Sequence, residues 1–177
     1  MRVIGGSFGG RTLVTPRGRA TRPTSDRVRE ALFSILEPVA GERVLDLFAG
    51  SGALALEALS RGAADATLVD SSDAAIAAIR RNLAALGLRA EVRRQRALAF
   101  LQSARAARHQ YDLVFLDPPY RHASELEREL SVALAPVLSP GARVVAESDR
   151  RAPLELDLAL RDERRYGDTL IRIYDSR

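Results

Sequence analysis

The sequence of 177 residues contains no cysteine. That excludes a disulfide scaffold, a thiolate nucleophile and a cysteine-ligated zinc site. Lysine is also absent, so all 27 basic residues are arginine and every phosphate contact would be planar and capable of being bidentate. No apolar run approaches the roughly 18 residues that cross a bilayer, and the N-terminus lacks the apolar core of a signal peptide. The expected setting is therefore cytoplasmic, with no membrane partner. His109 and His122 have no partner at ligand spacing and read as surface or loop residues, so no metal is expected. There is no repeat, no low-complexity block and no second core.

What is present is a hydrophobic content of 46%, ordinary for a globular chain long enough to bury a core. The expected organisation is one domain over 1–177, with a basic N-terminal extension at 1–38 and a core at 39–177. The charge is uneven. Residues 1–29 hold seven arginines against Asp26, whereas the remainder holds 20 arginines against 22 acids. Such an arm reads as an electrostatic footprint for nucleic acid. Arg2-Val3-Ile4 and Arg11-Thr12-Leu13-Val14, separated by Gly5-Gly6 and Gly9-Gly10, predict a β-hairpin rather than a loose tail. A helix over Ser25–Glu37 follows, whose stripe of Val28, Ala31, Leu32, Ile35 and Leu36 would pack on the body.

Beyond it, strands and helices alternate. Strands are expected at Arg43–Leu47, Thr67–Asp70, Ala90–Arg94, Asp112–Leu116 and Arg143–Glu147. Helices are expected at Ala53–Arg61, Asp73–Leu86, Ala97–Ala107 and Ala123–Leu138. Leu154–Leu160 and Thr169–Tyr174 predict a terminal antiparallel pair. The arginine-rich stretches Arg93–Arg96 and Arg161–Arg165 read as solvated faces.

Two motifs carry chemistry. Asp117-Pro118-Pro119-Tyr120 follows the apolar strand, where open α/β sheets place their ligands. The prolines fix φ and remove donors, leaving rigid carbonyls, a carboxylate and a flat ring. That set suits the exocyclic amino group of a planar base, with Tyr120 stacking on it. Upstream, Asp46-Leu47-Phe48-Ala49-Gly50-Ser51-Gly52 reads as a strand end and a glycine-rich turn that opens a helix. Asp70 ends the next strand, where ribose hydroxyls are held. Asp46 would repel a pyrophosphate and welcome an ammonium or sulfonium. S-adenosyl-L-methionine offers both, and a ribose for Asp70. Phe48 would line the cofactor side or serve as an ordinary core residue.

These motifs, with Met1-Arg2-Val3-Ile4-Gly5-Gly6, Arg22-Pro23-Thr24-Ser25-Asp26-Arg27-Val28-Arg29-Glu30-Ala31-Leu32-Phe33, Glu57-Ala58-Leu59-Ser60-Arg61-Gly62-Ala63 and Tyr166-Gly167-Asp168-Thr169, resemble the RsmD family from the first residue to about Tyr174. The resemblance implies a Rossmann-like class I methyltransferase. Its sheet would be seven-stranded and mostly parallel, with an antiparallel C-terminal strand and an N-terminal β-hairpin plus helix. It implies methylation of N2 of a guanine in 16S ribosomal RNA, with that RNA or the assembling small subunit as partner; a monomer is the separate expectation for the oligomeric state, which the sequence leaves open. Asp117, Pro118, Pro119 and Tyr120 would be catalytic. Asp46, Phe48, Ala49, Gly50, Ser51, Gly52, Asp70, Ser71, Arg96 and Ala97 would line the cofactor. Arg2, Arg11, Arg19, Arg22, Thr24, Arg27 and Arg29 would meet RNA. Arg96 departs from the pattern, since the family usually has Asp or Asn there to help hold the adenine. Two other readings stay open: an amino methyltransferase acting on DNA, and a module that binds RNA without catalysis.

Overall fold

The computed structural model describes residues 1–16, 25–36, 38–118 and 124–176. Helix α1 (Asp26–Leu36) precedes β1 (Arg43–Leu47), α2 (Ala53–Ser60), β2 (Asp65–Asp70), α3 (Asp73–Leu86), β3 (Glu91–Arg94), α4 (Ala97–Ala106) and β4 (Tyr111–Leu116). Then come α5 (Ser124–Leu134), a short 3-10 turn, β5 (Leu138–Asp149), β6 (Ala159–Tyr166) and β7 (Thr169–Asp175). The strands form one sheet in the order β3-β2-β1-β4-β5-β7-β6. Neighbours from β3 to β5 run parallel, whereas β7 is antiparallel to both β5 and β6.

Alternation along the buried strands divides the core between the two sheet faces. Val44 of β1 and Leu113 and Phe115 of β4 join α1, α2 and α3 on one face. Leu45, Leu47, Val114 and Leu116 join α4 and α5 on the other. The arm belongs to the first face, since Val3 and Leu13 are buried in the same cluster as Leu32 and Phe33 of α1. Helix α3 buries a stripe that includes Ile76, Ile79, Leu83 and Leu86, is capped by Ser72 and closes on Gly87 in the left-handed conformation.

Several expectations shift. The N-terminal hairpin is reduced to a single antiparallel bridge, Arg2 to Thr12, with a 3-10 turn at Gly6–Phe8 between. The cause is competition from α2. Glu57 accepts Ile4 N–H at 2.7 Å and Gly5 N–H at 2.8 Å, and Ser60 Oγ accepts Phe8 N–H at 2.9 Å. Side chains of the body thus satisfy backbone groups that a ladder would otherwise have paired. In α1, Ile35 stays exposed and Phe33 takes the buried place, 5.9 Å from Phe115 between ring centres.

The strand expected at Leu154–Leu160 starts late, as β6 runs through Arg161–Arg165 instead. Leu154 and Leu156 are buried against the α5 side, and Asp157 N–H donates to Ser131 Oγ at 3.0 Å. Their alternation reports packing on a helix, not strand pairing. Edge strand β6 is mostly exposed and charged, a usual guard against edge-to-edge association.

Candidate active site

The chain reverses direction across the sheet between β1 and β4, the switch point where open α/β sheets bind ligands. Leu47 pairs with Val69 on one side and Leu116 on the other, and Asp70 pairs with Arg94. Continuing that register by one residue sets Asp70, Phe48 and Asp117 in a row at the carboxyl ends of β2, β1 and β4. Asp46 and Asp70 share strand parity with Val44 and Leu68, so both belong to the sheet face that carries the arm and α1 to α3. The sequence expectation thus brings the glycine loop, Asp70 and Asp117-Pro118 together. Pro119, Tyr120, Arg19, Arg22 and Thr24 lie outside the described residues.

The loop after β1 is held in an unusual backbone path. Phe48 has φ of 65° without being glycine, a conformation that costs on the order of 1–3 kcal/mol. It is maintained because Ala49 N–H donates to Val69 O at 3.0 Å, and Gly52 N–H donates to Ala49 O at 2.7 Å. Gly52 has φ of 79°, and a Cβ there would stand 2.7 Å from Leu68 Cδ2. Close packing therefore requires glycine at 52. At Gly50 a Cβ would meet nothing nearer than Phe48 O at 3.9 Å, so that turn is open to an approaching ligand.

Asp46 is not at the mouth of the loop. It is buried, and its Oδ2 accepts Ala55 N–H at 3.2 Å, one of the otherwise unpaired donors of the first turn of α2. Gly52, the N-cap residue, has no side chain to do this. Burial, with the nearby charge of Asp70 adding to it, pushes the Asp46 carboxyl up to about 7 despite the Ala55 bond.

Asp70 also works on backbone. Its Oδ2 accepts Gly50 N–H and its Oδ1 accepts Ser72 N–H, each at 2.9 Å. It therefore binds the loop after β1 to the entry of α3. Ser71 is exposed next to it, and Ala97 is buried at the start of α4. Arg96 is exposed at the N-cap of α4 and makes no side-chain cap. An arginine there has no acceptor to offer and places positive charge at the positive end of the helix.

The arginines of the arm divide. Arg29 is fully buried, because α1 turns it inward with Leu32, Phe33 and Leu36. Its Nη2 donates to Arg2 O at 2.6 Å and to Asp26 Oδ1 at 2.7 Å, whereas Nε and Nη1 have no hydrogen-bond partner among the described residues. This corrects its expected role: Arg29 holds the arm from inside and presents no surface to RNA. Arg2 pairs with the same Asp26 at 3.3 Å, and these arginines outweigh partial burial to hold that carboxyl below its ordinary range. Arg11 reaches Ala85 O of α3 at 3.2 Å, and Arg27 is exposed.

Sequence reasoning missed the residues that join arm and loop. Glu57 and Ser60 stood in a quoted motif without a role. Asn82 drew no notice, because one buried polar residue inside an apolar helical stripe carries no pattern. Among the described residues, no cluster of three acidic or histidine side chains could hold a metal, and no helix is long and apolar enough to cross a membrane.

The fold and the row of groups at its switch point define a class I methyltransferase, an architecture shared with solved methyltransferase structures. A family profile described as conserved hypothetical protein 95 matches residues 1–175. Ribosomal RNA small subunit methyltransferase D of Haemophilus influenzae is 35% identical over 183 residues, spanning 99% of this chain and 94% of that protein. The Escherichia coli K12 protein of the same name is 47% identical over 123 residues, spanning 68% of this chain and 61% of that one. A Thermus thermophilus protein of known structure superposes with a TM-score of 0.85 at 32% identity, over 98% of both chains. The chain belongs to this family, the RsmD family of S-adenosylmethionine-dependent methyltransferases.

Two outcomes follow from the geometry. A carboxyl whose folded pKa lies above its unfolded value of 3.8 stabilises the fold most at low pH, and that contribution is lost as pH rises from about 4 to about 7. Asp46→Asn should therefore gain thermal stability relative to the parent across that window, with the gap constant above it. Melting curves from pH 5 to 8.5 measure this, and a gap that shrinks with rising pH contradicts the assignment. Arg96→Asp should supply the missing cap and raise stability by about 1 kcal/mol in urea titrations.

Proposed function

We propose that this chain transfers a methyl group from S-adenosylmethionine to the exocyclic N2 of a guanine in small-subunit ribosomal RNA, on the assembling subunit. One observation carries this reading: Asp117-Pro118 stands one strand from a strained glycine loop whose Asp70 suits a ribose. The names of the relatives support the RNA substrate. So does the small size of the arm, which has little surface for reading sequence and favours a shaped RNA–protein surface.

S-adenosylmethionine supplies an electrophilic methyl on a sulfonium. The chain's residues hold and orient the acceptor. The amine lone pair of guanine N2 is delocalised into the ring. Asp117 and the Pro118 carbonyl accept its N–H groups, which favours a pyramidal nitrogen with an available pair. In-line attack forms the N–C bond as the C–S bond breaks, and the resulting ammonium loses a proton to Asp117 or water. Positioning of this kind supplies several kcal/mol of the barrier. Tyr120 stacks on the base, which must be unpaired or flipped to enter. The arm lies on the sheet face of Asp46 and Asp70, so RNA held by its arginines is delivered to that side.

The test is incubation with labelled S-adenosylmethionine and small subunits from cells lacking the gene, naked 16S RNA, or genomic DNA. Label on N2 of a guanine in subunits supports the reading; label on DNA adenine overturns it. Asp117→Ala should abolish nearly all transfer while cofactor affinity stays within about twofold. Tyr120→Ala should cost about 1–3 kcal/mol through lost stacking, and Tyr120→Phe should keep most activity.

The arm has its own outcome. Replacing Arg11, Arg19 and Arg22 together should weaken RNA binding and flatten its salt dependence by about 0.7 per lost phosphate contact. Cofactor affinity should be nearly unchanged, apart from any small loss through the Arg11 contact that helps seat the arm on α3, and Arg22 is also tested alone because of its neighbour Thr24. A triple variant with full affinity and an unchanged slope places the RNA surface elsewhere.

A further inference from the structure

Asn82 is 1% exposed near the end of α3, in a stripe that is otherwise apolar. All of its amide is used. Oδ1 accepts Val14 N–H at 2.7 Å, and Nδ2 donates to Val14 O and to Ser51 O, each at 2.9 Å. The flipped amide would set its oxygen against two carbonyls, so the network admits one orientation. The pair of bonds to Val14 imitates a neighbouring strand and clips the extended arm to α3. The third bond goes to the glycine loop.

That third partner is a sensitive one. Ser51 sits between Gly50 and Gly52, with φ of 57° and 79°, so neither neighbour restricts the peptide planes on steric grounds. The Ser51–Gly52 peptide plane is held from both sides: Gly52 N–H donates to Ala49 O at 2.7 Å within the loop, and Asn82 Nδ2 donates to Ser51 O at 2.9 Å from α3. Ser51 Oγ in turn donates to Met1 Sδ at 3.3 Å. The arm therefore reaches the loop at two places, one of them through a single buried amide. After Pro16 the chain continues into the segment that holds Arg17, Arg19 and Arg22.

We infer that Asn82 is a positioning residue that couples the seating of the N-terminal arm to the shape of the cofactor loop. The inference rests on the reading of that loop as the S-adenosylmethionine site. If the arm is unclipped at Val14, Asn82 loses the partner that orients its amide, and its hold on the Ser51 carbonyl weakens although nothing in the loop has been changed. Coupling between sites is reciprocal, so a cofactor that orders the loop also favours the seated arm.

The bridge can be cut from either end. Val14→Pro removes the N–H given to Asn82 and also fixes φ at 14, on a residue that is 47% exposed and far from the loop in sequence. Asn82→Ala removes the whole bridge. Binding of S-adenosylhomocysteine is measured by calorimetry on the full chain, at a temperature where circular dichroism shows each variant folded. Each single change should weaken binding about three- to tenfold, the range for one lost hydrogen bond. The double variant should bind no more weakly than Asn82→Ala alone, because the arm-side change has nothing left to act through. Val14→Pro with parental affinity, or independent losses that multiply in the double variant, overturns the coupling. If Asn82→Ala does not fold, Val14→Pro alone decides by the same criterion. A parent chain that binds no S-adenosylhomocysteine refutes the cofactor reading itself, an outcome distinct from variants that match a binding parent.

Discussion

A carboxylate that takes one backbone N–H from each of two connections is what the candidate site depends on. Asp70 receives Gly50 from the loop after β1 and Ser72 from the start of α3. Beside the Ala49 to Val69 bond that ties the glycine turn to β2, that clamp joins the turn to the helix entry at the strand end. With it, Ser72 is placed to cap α3, and α3 brings Asn82 to the carbonyl of Ser51. The same helix then holds the arm. One charged group at a strand end thus organises cofactor loop, helix and N-terminal segment together, and its charge raises the proton affinity of Asp46 nearby.

Buried charge recurs on this sheet face, and each case has a structural task. Asp46 caps a helix whose N-cap is glycine. Glu57 is fully buried, takes two arm N–H groups and pairs with Arg61, whose guanidinium lies 5.1 Å from the Phe33 ring centre. Arg29 holds the arm through Arg2 O. Burying such groups is expensive unless they are bonded, so they are specific about where the arm sits. The arm's position is set by polar contacts from α1, α2 and α3 more than by a ladder of its own. Gly6 belongs to the same arrangement, since a Cβ there would meet Ser60 O at 1.9 Å.

The distribution of arginine function illustrates how charge in a sequence misleads. Seven arginines in the first 29 residues suggest one basic surface. In the fold, Arg29 is interior, Arg2 is half-neutralised by Asp26, and Arg11 leans on a helix carbonyl. Along β6 and β7, Arg161, Arg164, Arg165 and Arg172 are each paired with an acid of the same two strands or of the segment before them. A count of charges carries no information on which side chains point inward, because helical phase depends on what the helix packs against.

The sequence alone determined the alternation of strands and helices, because buried parallel strands need continuous apolar runs and helices need a periodic stripe. Strand β1 and helix α3 coincide with their expected bounds. It also determined the candidate chemistry, because Asp70, the glycine turn and Asp117-Pro118 each end an apolar strand, and parallel strands align their carboxyl ends. Only the tertiary structure decided the strand order that sets those ends side by side, the inward turn of Arg29, and the capture of the Ile4, Gly5 and Phe8 N–H groups of the short hairpin by Glu57 and Ser60. The same holds for Leu154 and Leu156, whose alternation serves a helix and not a strand, and for Asn82, whose partners lie 68 and 31 residues away. These are contacts between segments remote in sequence, and no local pattern encodes a partner that the fold has yet to supply.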